Sequence, residues 1–372
     1  KTRRKNIERS QRNSILVSLS SKLANSKILR RGMAHSSESE VIVSWSSMRN
    51  NWIRSAFEIS DATGKNVKTF FNRFVASNPG YSFTITQLYD ELYQICITTD
   101  QSLKIKHILE ERFKIALPNL RRQELFPGAK KSNRSFRNTQ EFRSFNEQSL
   151  AALNKPIIKR KHEEARQHDS KVRRAFNSQD PKYFLAFDIE VYEHDFSKAL
   201  EIGYVIVRVS PAGGNLPNLE VTSKKHLIIQ ENLHFKNKDR VPDNRDGFRF
   251  GVSQTLPIAD AVKRFREDIR GCDYILGHSV KNDDSYLRDM GVDLSVLGKE
   301  IFDTQVLDVY KESLKLSEKY FMRSLSHLLR EYKVNYQERD LHNAGCDAFY
   351  TMMVFLRLMG YSAEQVNAVI AS

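Results

Sequence analysis

Asp188 and Glu190 stand two residues apart at the end of the apolar run Tyr183-Phe184-Leu185-Ala186-Phe187. Residues two apart on a strand share a face, so both carboxylates point the same way. Such a pair repels itself and loses hydration, and a bound cation is its natural neutraliser. Asp283 follows a second apolar run, Tyr274-Ile275-Leu276-Gly277, after the turn His278-Ser279-Val280-Lys281-Asn282. Asp347 opens the last apolar helix, with His342 five residues before it. Three separate segments thus each bring a carboxylate to the edge of a buried element, and all-oxygen ligation suits Mg2+ or Mn2+ rather than zinc. Each piece alone has a plainer reading: a solvated rim pair, a helix cap at Asp283, a dipole partner at Asp347, a structural His342. Their order and joint spacing carry the argument. His162-Glu163-Glu164 invites a zinc-protease reading, but His168 lies six residues on rather than four, which puts the imidazoles on different helix faces.

The elements that must position these groups lie in residues 181–372. Apolar runs predict strands at 183–188, 202–209, 226–229, 274–277 and 301–303, with helices over 257–269, near 286–287, over 323–332 and over 344–358. Three strands joined by short turns, then alternating helices and strands, predict an α/β domain with a mixed sheet and flanking helices. Residues 41–120 are nearly balanced in charge and predict a small all-α region, with Leu88, Leu92, Ile95 and Cys96 at helical spacing behind Thr84 or Thr86 as caps. Its aromatics, Phe70, Phe71, Phe74, Tyr89 and Tyr93, are read as core. Residues 121–180 lose the periodicity and read as a basic linker or strap.

Across 372 residues the net charge is +14, and residues 1–180 hold 34 basic against 17 acidic side chains, so the front carries the whole excess. A polyanion partner follows, most simply nucleic acid. Residues 1–40 read as a basic arm or targeting segment. Their acid-poor, Arg- and Ser-rich composition favours a mitochondrial address, with the nucleus (a short import signal at 1–5) or cytoplasm as alternatives. The three cysteines, Cys96, Cys272 and Cys346, have no metal-ligand spacing and form no even set, which argues against a disulfide scaffold and for an intracellular setting. No apolar run is long enough for a transmembrane helix.

Asp188-Ile189-Glu190, Glu201-Ile202-Gly203, Gly277-His278-Ser279-Val280-Lys281-Asn282-Asp283 and His342-Asn343-Ala344-Gly345-Cys346-Asp347-Ala348 together resemble the motifs of the DEDDh 3′–5′ exonuclease superfamily, with its ribonuclease-H-like fold. The His-x-Ala-x-x-Asp-Ala form of the last is the most specific. With Phe302-Asp303-Thr304-Gln305 and Phe248-Arg249-Phe250-Gly251, the chain resembles a fungal branch in which one relative is linked to mRNA export. The resemblance covers about residues 181–360. It departs where Val191-Tyr192 follow Glu190 in place of Thr, and where Ser279 and Asn282 stand in the third motif. Asp284 rivals Asp283, but the count from Gly277 favours Asp283.

The resemblance implies a catalytic domain over 181–372 that holds two Mg2+ or Mn2+ ions. Asp188 would bridge them, Glu190 and Asp347 would complete one site, and Asp283 would serve the other. His342 would be the general base, and nucleoside 5′-monophosphates would leave single-stranded RNA or DNA. The basic front and strap would grip the strand. RNA-processing proteins are the other expected partners. Two rivals stand beside this reading: a catalytically silent module that recognises nucleic acid or protein in RNA metabolism, and a structural organelle protein whose basic arm meets anionic lipid.

Overall fold

The computed structural model describes residues 42–120, 125–212, 214, 216–239, 241–315 and 320–371. The basic arm expected over residues 1–40, with its targeting readings, lies outside them. The chain falls into two compact units, Lys1–Lys159 and Arg160–Ser372.

In the first unit β1 (Ile42–Ser44), β2 (Ser82–Gln87), β3 (Tyr93–Thr98) and β4 (Ser132–Ser135) form an antiparallel sheet in the order β1-β3-β2-β4. Helices α1 (Trp45–Ile59), α2 (Asp61–Ser77), α3 (Thr99–Phe113) and α4 (Thr139–Ser144) accompany it. Ser44, Ser60 and Thr98 cap the first three by accepting a first-turn backbone N–H. The region is helical as expected, yet not all-α. Ile95 and Cys96 lie in β3, and Thr84 and Thr86 lie in β2 rather than capping a helix. The alternation of buried Phe83 and Ile85, and of Ile95 and Ile97, overrides the four-residue spacing. Trp45, Trp52, Phe71, Phe74 and Phe83 fill the core, whereas Tyr89, expected inside, is 54% exposed. The stretch expected as a linker supplies β4, paired with β2, and the long helix α5 (Ala151–Phe176). Its buried face is Ala165, Asp169, Val172, Ala175 and Phe176, too small and too polar to register as an apolar period.

The second unit holds a six-stranded mixed sheet of β5 (Lys182–Tyr192), β6 (Asp195–Ser210), β7 (Asn218–Ile229), β8 (Ser253–Leu256), β9 (Tyr274–Gly277) and β10 (Glu300–Asp303), in the order β10-β9-β5-β6-β7-β8. β5, β6 and β7 are antiparallel neighbours; β8, β9 and β10 run parallel to β7, β5 and β9 respectively. Flanking it are α6 (Ile258–Arg270), α7 (Val280–Asp289), α8 (Thr304–Ser313), α9 (Leu325–Glu331), α10 (Ala344–Met359) and α11 (Ala363–Ala371). This is the ribonuclease-H-like α/β arrangement. β8 has no counterpart among the predicted strands because Ser253-Gln254-Thr255-Leu256 contains one apolar residue.

β5 divides the core. Phe184 and Ala186 pack with Phe349 and Phe355 of α10, while Leu185, Phe187 and Ile189 pack with Phe265 of α6 and Leu287 of α7. The same alternation carries Asp188 and Glu190 to the α10 face. Asp188 pairs across the ladder with Gly203, and Glu190 with Glu201.

Candidate active site

Gly203 lets the start of α10 press onto the sheet beside Asp188. A Cβ there would fall 2.0 Å from the backbone of Ala344, so any side chain would push the helix away. Asn343 caps α10 by accepting the Cys346 N–H at 3.0 Å, and its own amide donates to the carbonyls of Asn244 and Arg245. Asp347 thus sits in the first turn, and its Oδ2 accepts the backbone N–H of His342 at 2.9 Å. To make that bond His342 takes the left-handed conformation, φ 61°, a conformation held only when surrounding contacts demand it. Its imidazole Nδ1 then lies 4.0 Å from Glu190 Oε1. Ligand atoms of Glu190, His342 and Asp347 all fall within 4.8 Å of one another.

Asp283 arrives on α7, whose N-terminus is held from a neighbouring strand end. Asp303 of β10 accepts the N–H groups of Ser279 and Val280 at 3.1 and 3.0 Å, and its own N–H donates to His168 Nε2. Asp284, the rival, turns instead to Arg288 at 2.7 Å.

The four carboxylates are within electrostatic reach of one another. Burial, then the charge of Glu201, pushes Asp188 up to about 7. Burial raises Glu190 well above the usual carboxylate range, with Asp188, Asp347, Glu201 and Asp283 adding to it. Asp283 and Asp347 are raised the same way, by burial first and by Asp188 next. Among the described residues no Lys or Arg pairs with any of the four. Asp347 Oδ1 is buried with no hydrogen-bond partner, an omission that folded proteins rarely leave unfilled. Clustered anionic oxygens, one of them orphaned, fit a hard divalent cation. Beside them the His342 side chain is 42% exposed, and its pKa is lowered by burial, which keeps the ring neutral near pH 7.

A buried network behind these groups was not among the candidate residues. Glu201 Oε2 accepts from His226 Nε2 at 2.8 Å and from the Ala344 N–H at 3.1 Å. Arg245 Nε lies 3.8 Å from Glu201 Oε1, and His226 Nδ1 meets Ser253 Oγ at 2.8 Å. Glu201 is therefore the tie between β6 and the first turn of α10. Its signals in the sequence are its place in an otherwise apolar strand and in the Glu201-Ile202-Gly203 motif, neither of which names a partner.

A family model for the DNA polymerase III subunit epsilon-like C-terminal domain of the DEDDh type matches residues 183–358. The chain is also similar to an uncharacterized protein of Saccharomyces cerevisiae, YDR514C, at 29% identity over 209 residues, covering 50% of this chain and 42% of the relative. It is 26% identical over 209 residues to the Good for full DBP5 activity protein 2 of Saccharomyces cerevisiae, covering 49% of this chain and 36% of the relative. It is 28% identical over 173 residues to an uncharacterized nucleolar protein of Schizosaccharomyces pombe, C2C4.08, covering 45% of this chain and 65% of the relative. The matched part thus spans less than half the length of either budding-yeast relative. Residues 183–358, and with them the sheet, the four carboxylates and His342, form a domain of the DEDDh exonuclease superfamily.

Proposed function

We propose that this protein is a divalent-metal-dependent 3′–5′ exonuclease that removes nucleoside 5′-monophosphates from single-stranded nucleic acid, with residues 181–372 as its catalytic domain. The observation that carries the reading is the set of mutually raised carboxylates, without a cationic partner, beside a neutral, half-exposed imidazole. Asp188, Glu190, Asp283 and Asp347 would hold two ions, Mg2+ or Mn2+. When bound, such ions clamp the scissile phosphate and favour the attacking form of water. His342 takes the proton of that water at Nδ1, the ring nitrogen on the carboxylate side. The water oxygen attacks phosphorus, the bond to the 3′ oxygen of the shortened strand breaks, that oxygen takes a proton from solvent water, and a 5′-monophosphate departs. Asp347 holds His342 in place through the backbone bond, so base and ligand are set by one turn.

RNA is favoured over DNA, and the nucleus over the mitochondrion, because one relative is described as nucleolar. Nothing in the described residues supports the mitochondrial address expected from residues 1–40. No described helix is long and apolar enough to cross a membrane. The test is trimming of a 5′-labelled oligonucleotide with Mn2+, which should vanish in Asp188→Ala; equal trimming by that variant excludes the mechanism. A second reading, a silent module that binds nucleic acid or RNA-processing proteins, rests on the name of the relative that describes support of another protein's activity. Absence of turnover with intact strand binding would select it.

A further inference from the structure

The loop that follows β7 is built in a way a simple connection does not require. Glu193, one residue past the end of β5 and 5% exposed, spends its carboxylate on that loop's backbone. It accepts the N–H groups of Lys238, Asp239 and Val241 at 2.9, 2.8 and 3.3 Å. Buried Asn237 closes the joint, accepting the Glu193 N–H at 2.9 Å and donating to the Val191 carbonyl at 3.0 Å. Arg245, also buried, holds the loop from its other end by donating to the carbonyls of Leu233 and Phe235 at 3.3 and 2.6 Å. Burying a carboxylate and a guanidinium is costly unless their hydrogen bonds are met; the loop backbone meets those of Glu193 and of both terminal nitrogens of Arg245, and leaves Arg245 Nε facing Glu201 at 3.8 Å.

What this scaffold holds outward is mostly aromatic and basic, with one acid, Asp239, bonded to His194 Nε2 at 3.0 Å. His234, Phe235, Tyr192 and His194 form a chain of rings with centroids 4.0, 4.8 and 5.2 Å apart. His234, Lys236 and Lys238 are exposed, and Tyr192 and Phe235 are half-buried. Among the described residues neither lysine takes part in an ion pair. Tyr192 lies two residues beyond Glu190 on the same strand, where the pairing with β6 shifts register at each step, so it stands at most roughly 7 Å along the chain from Glu190.

We propose that Tyr192, His194 and the loop segment His234–Lys238 form a preformed ledge that holds single-stranded nucleic acid at the edge of the carboxylate site, its rings stacking on bases and Lys236 and Lys238 meeting phosphates. The exonuclease reading supplies the direction of the strand; the binding itself does not need it. Rings interleaved with unpaired lysines match a polymer of alternating flat bases and anionic links. An acidic peptide would satisfy the lysines and leave the rings idle. The rigid backing means little ordering on binding, which is what a ledge for many sequences requires.

The test measures binding of a fluorescent single-stranded oligonucleotide to the Asp188→Asn protein, so that the strand stays whole. Phe235→Ala in that background should weaken binding about tenfold, while an abasic strand of equal length should bind Phe235→Ala and its parent alike. Lys236→Glu with Lys238→Glu, both at exposed positions that do not threaten folding, should weaken both strands and flatten the salt dependence by about two phosphate contacts. Unchanged affinity and salt slope in the lysine variant, or equal losses for the two strands in Phe235→Ala, overturns the ledge. Trimming by the unsubstituted protein with Mn2+ is scored separately. If that protein does not trim, and the ledge variants still lose binding as expected, the ledge stands and the nuclease reading falls.

Discussion

Asp188→Asn should abolish metal-dependent trimming and yet make the metal-free protein more stable. Asp188 titrates near 3.8 when free and at about 7 in the folded site. Below the free value both states are protonated and the side chain contributes nothing. As pH rises above it the unfolded chain ionises first, so the folded state loses stability steadily until the folded group ionises too, near 7, and the full penalty remains at higher pH. Three pH units correspond to about 4 kcal/mol, a ceiling that local relaxation and water entry reduce to about 1–2 kcal/mol. Asparagine keeps the shape and carries no charge. At pH 8 in chelator the variant should therefore melt about 2–8 °C above the parent, a difference that narrows toward pH 4. Saturating Mn2+ should invert the order, because binding to the folded state stabilises the parent and has lost a ligand in the variant. Thermal melts at two pH values, with and without Mn2+, read all four quantities. A variant that melts at or below the parent at pH 8 in chelator would refute the claim that Asp188 is an unneutralised buried charge.

His342→Ala should lower kcat by about 10²–10⁴-fold while leaving Mn2+ binding measurable. In the parent, kcat should fall on the acid side as the imidazole gains its proton, and burial sets that loss below the ordinary value of about 6.5; an acid limb that persists unchanged in the residual activity of His342→Ala argues against His342 as base. Gly203→Ala drives a methyl into the Ala344 backbone, and we expect it to cost about 1–3 kcal/mol in urea unfolding and most of the activity. His226→Ala leaves Glu201 buried with only the Ala344 N–H and a distant Arg245, and should destabilise by about 3 kcal/mol; a loss within experimental error would show that Glu201 does not depend on its imidazole.

The carboxylates were legible because each sits where an apolar run stops. Phe184 to Phe187 announce a strand buried on both faces, and charges at positions 188 and 190 then stand out against it. The same contrast marks Asp347, in a helix whose residues from Ala344 to Leu356 are all buried. Residues 84–98 misled because Leu88, Leu92 and Cys96 also satisfy a helical spacing, and only the ladder pairing of β2 with β3 decides between the two periods.

The supporting residues stood inside the quoted motifs, but their roles were illegible for a different reason: each acquires its role from a partner far away in sequence. Glu201 has no stated task until His226, 25 residues on, and Ala344, 143 residues on, meet its Oε2. Gly203 has none until the backbone of Ala344 lies against it. Asp303, which caps α7 from the neighbouring strand, looks in the sequence like the end of its own strand. Four acidic side chains brought to one place repel one another wherever they ionise, and their own segments alone would not hold them there. They stay together because backbone N–H groups of Ala344, Ser279 and Val280 are tied to carboxylates outside the set. Asp347 alone does both, holding the His342 N–H with Oδ2 and leaving Oδ1 unpartnered; the other tethering acids are separate from the ones left free for a ligand. On that division of labour, mutating Asp303 or Glu201 should misplace the cluster without removing any of its oxygens, and mutating Asp188 or Glu190 should remove an oxygen without misplacing the rest.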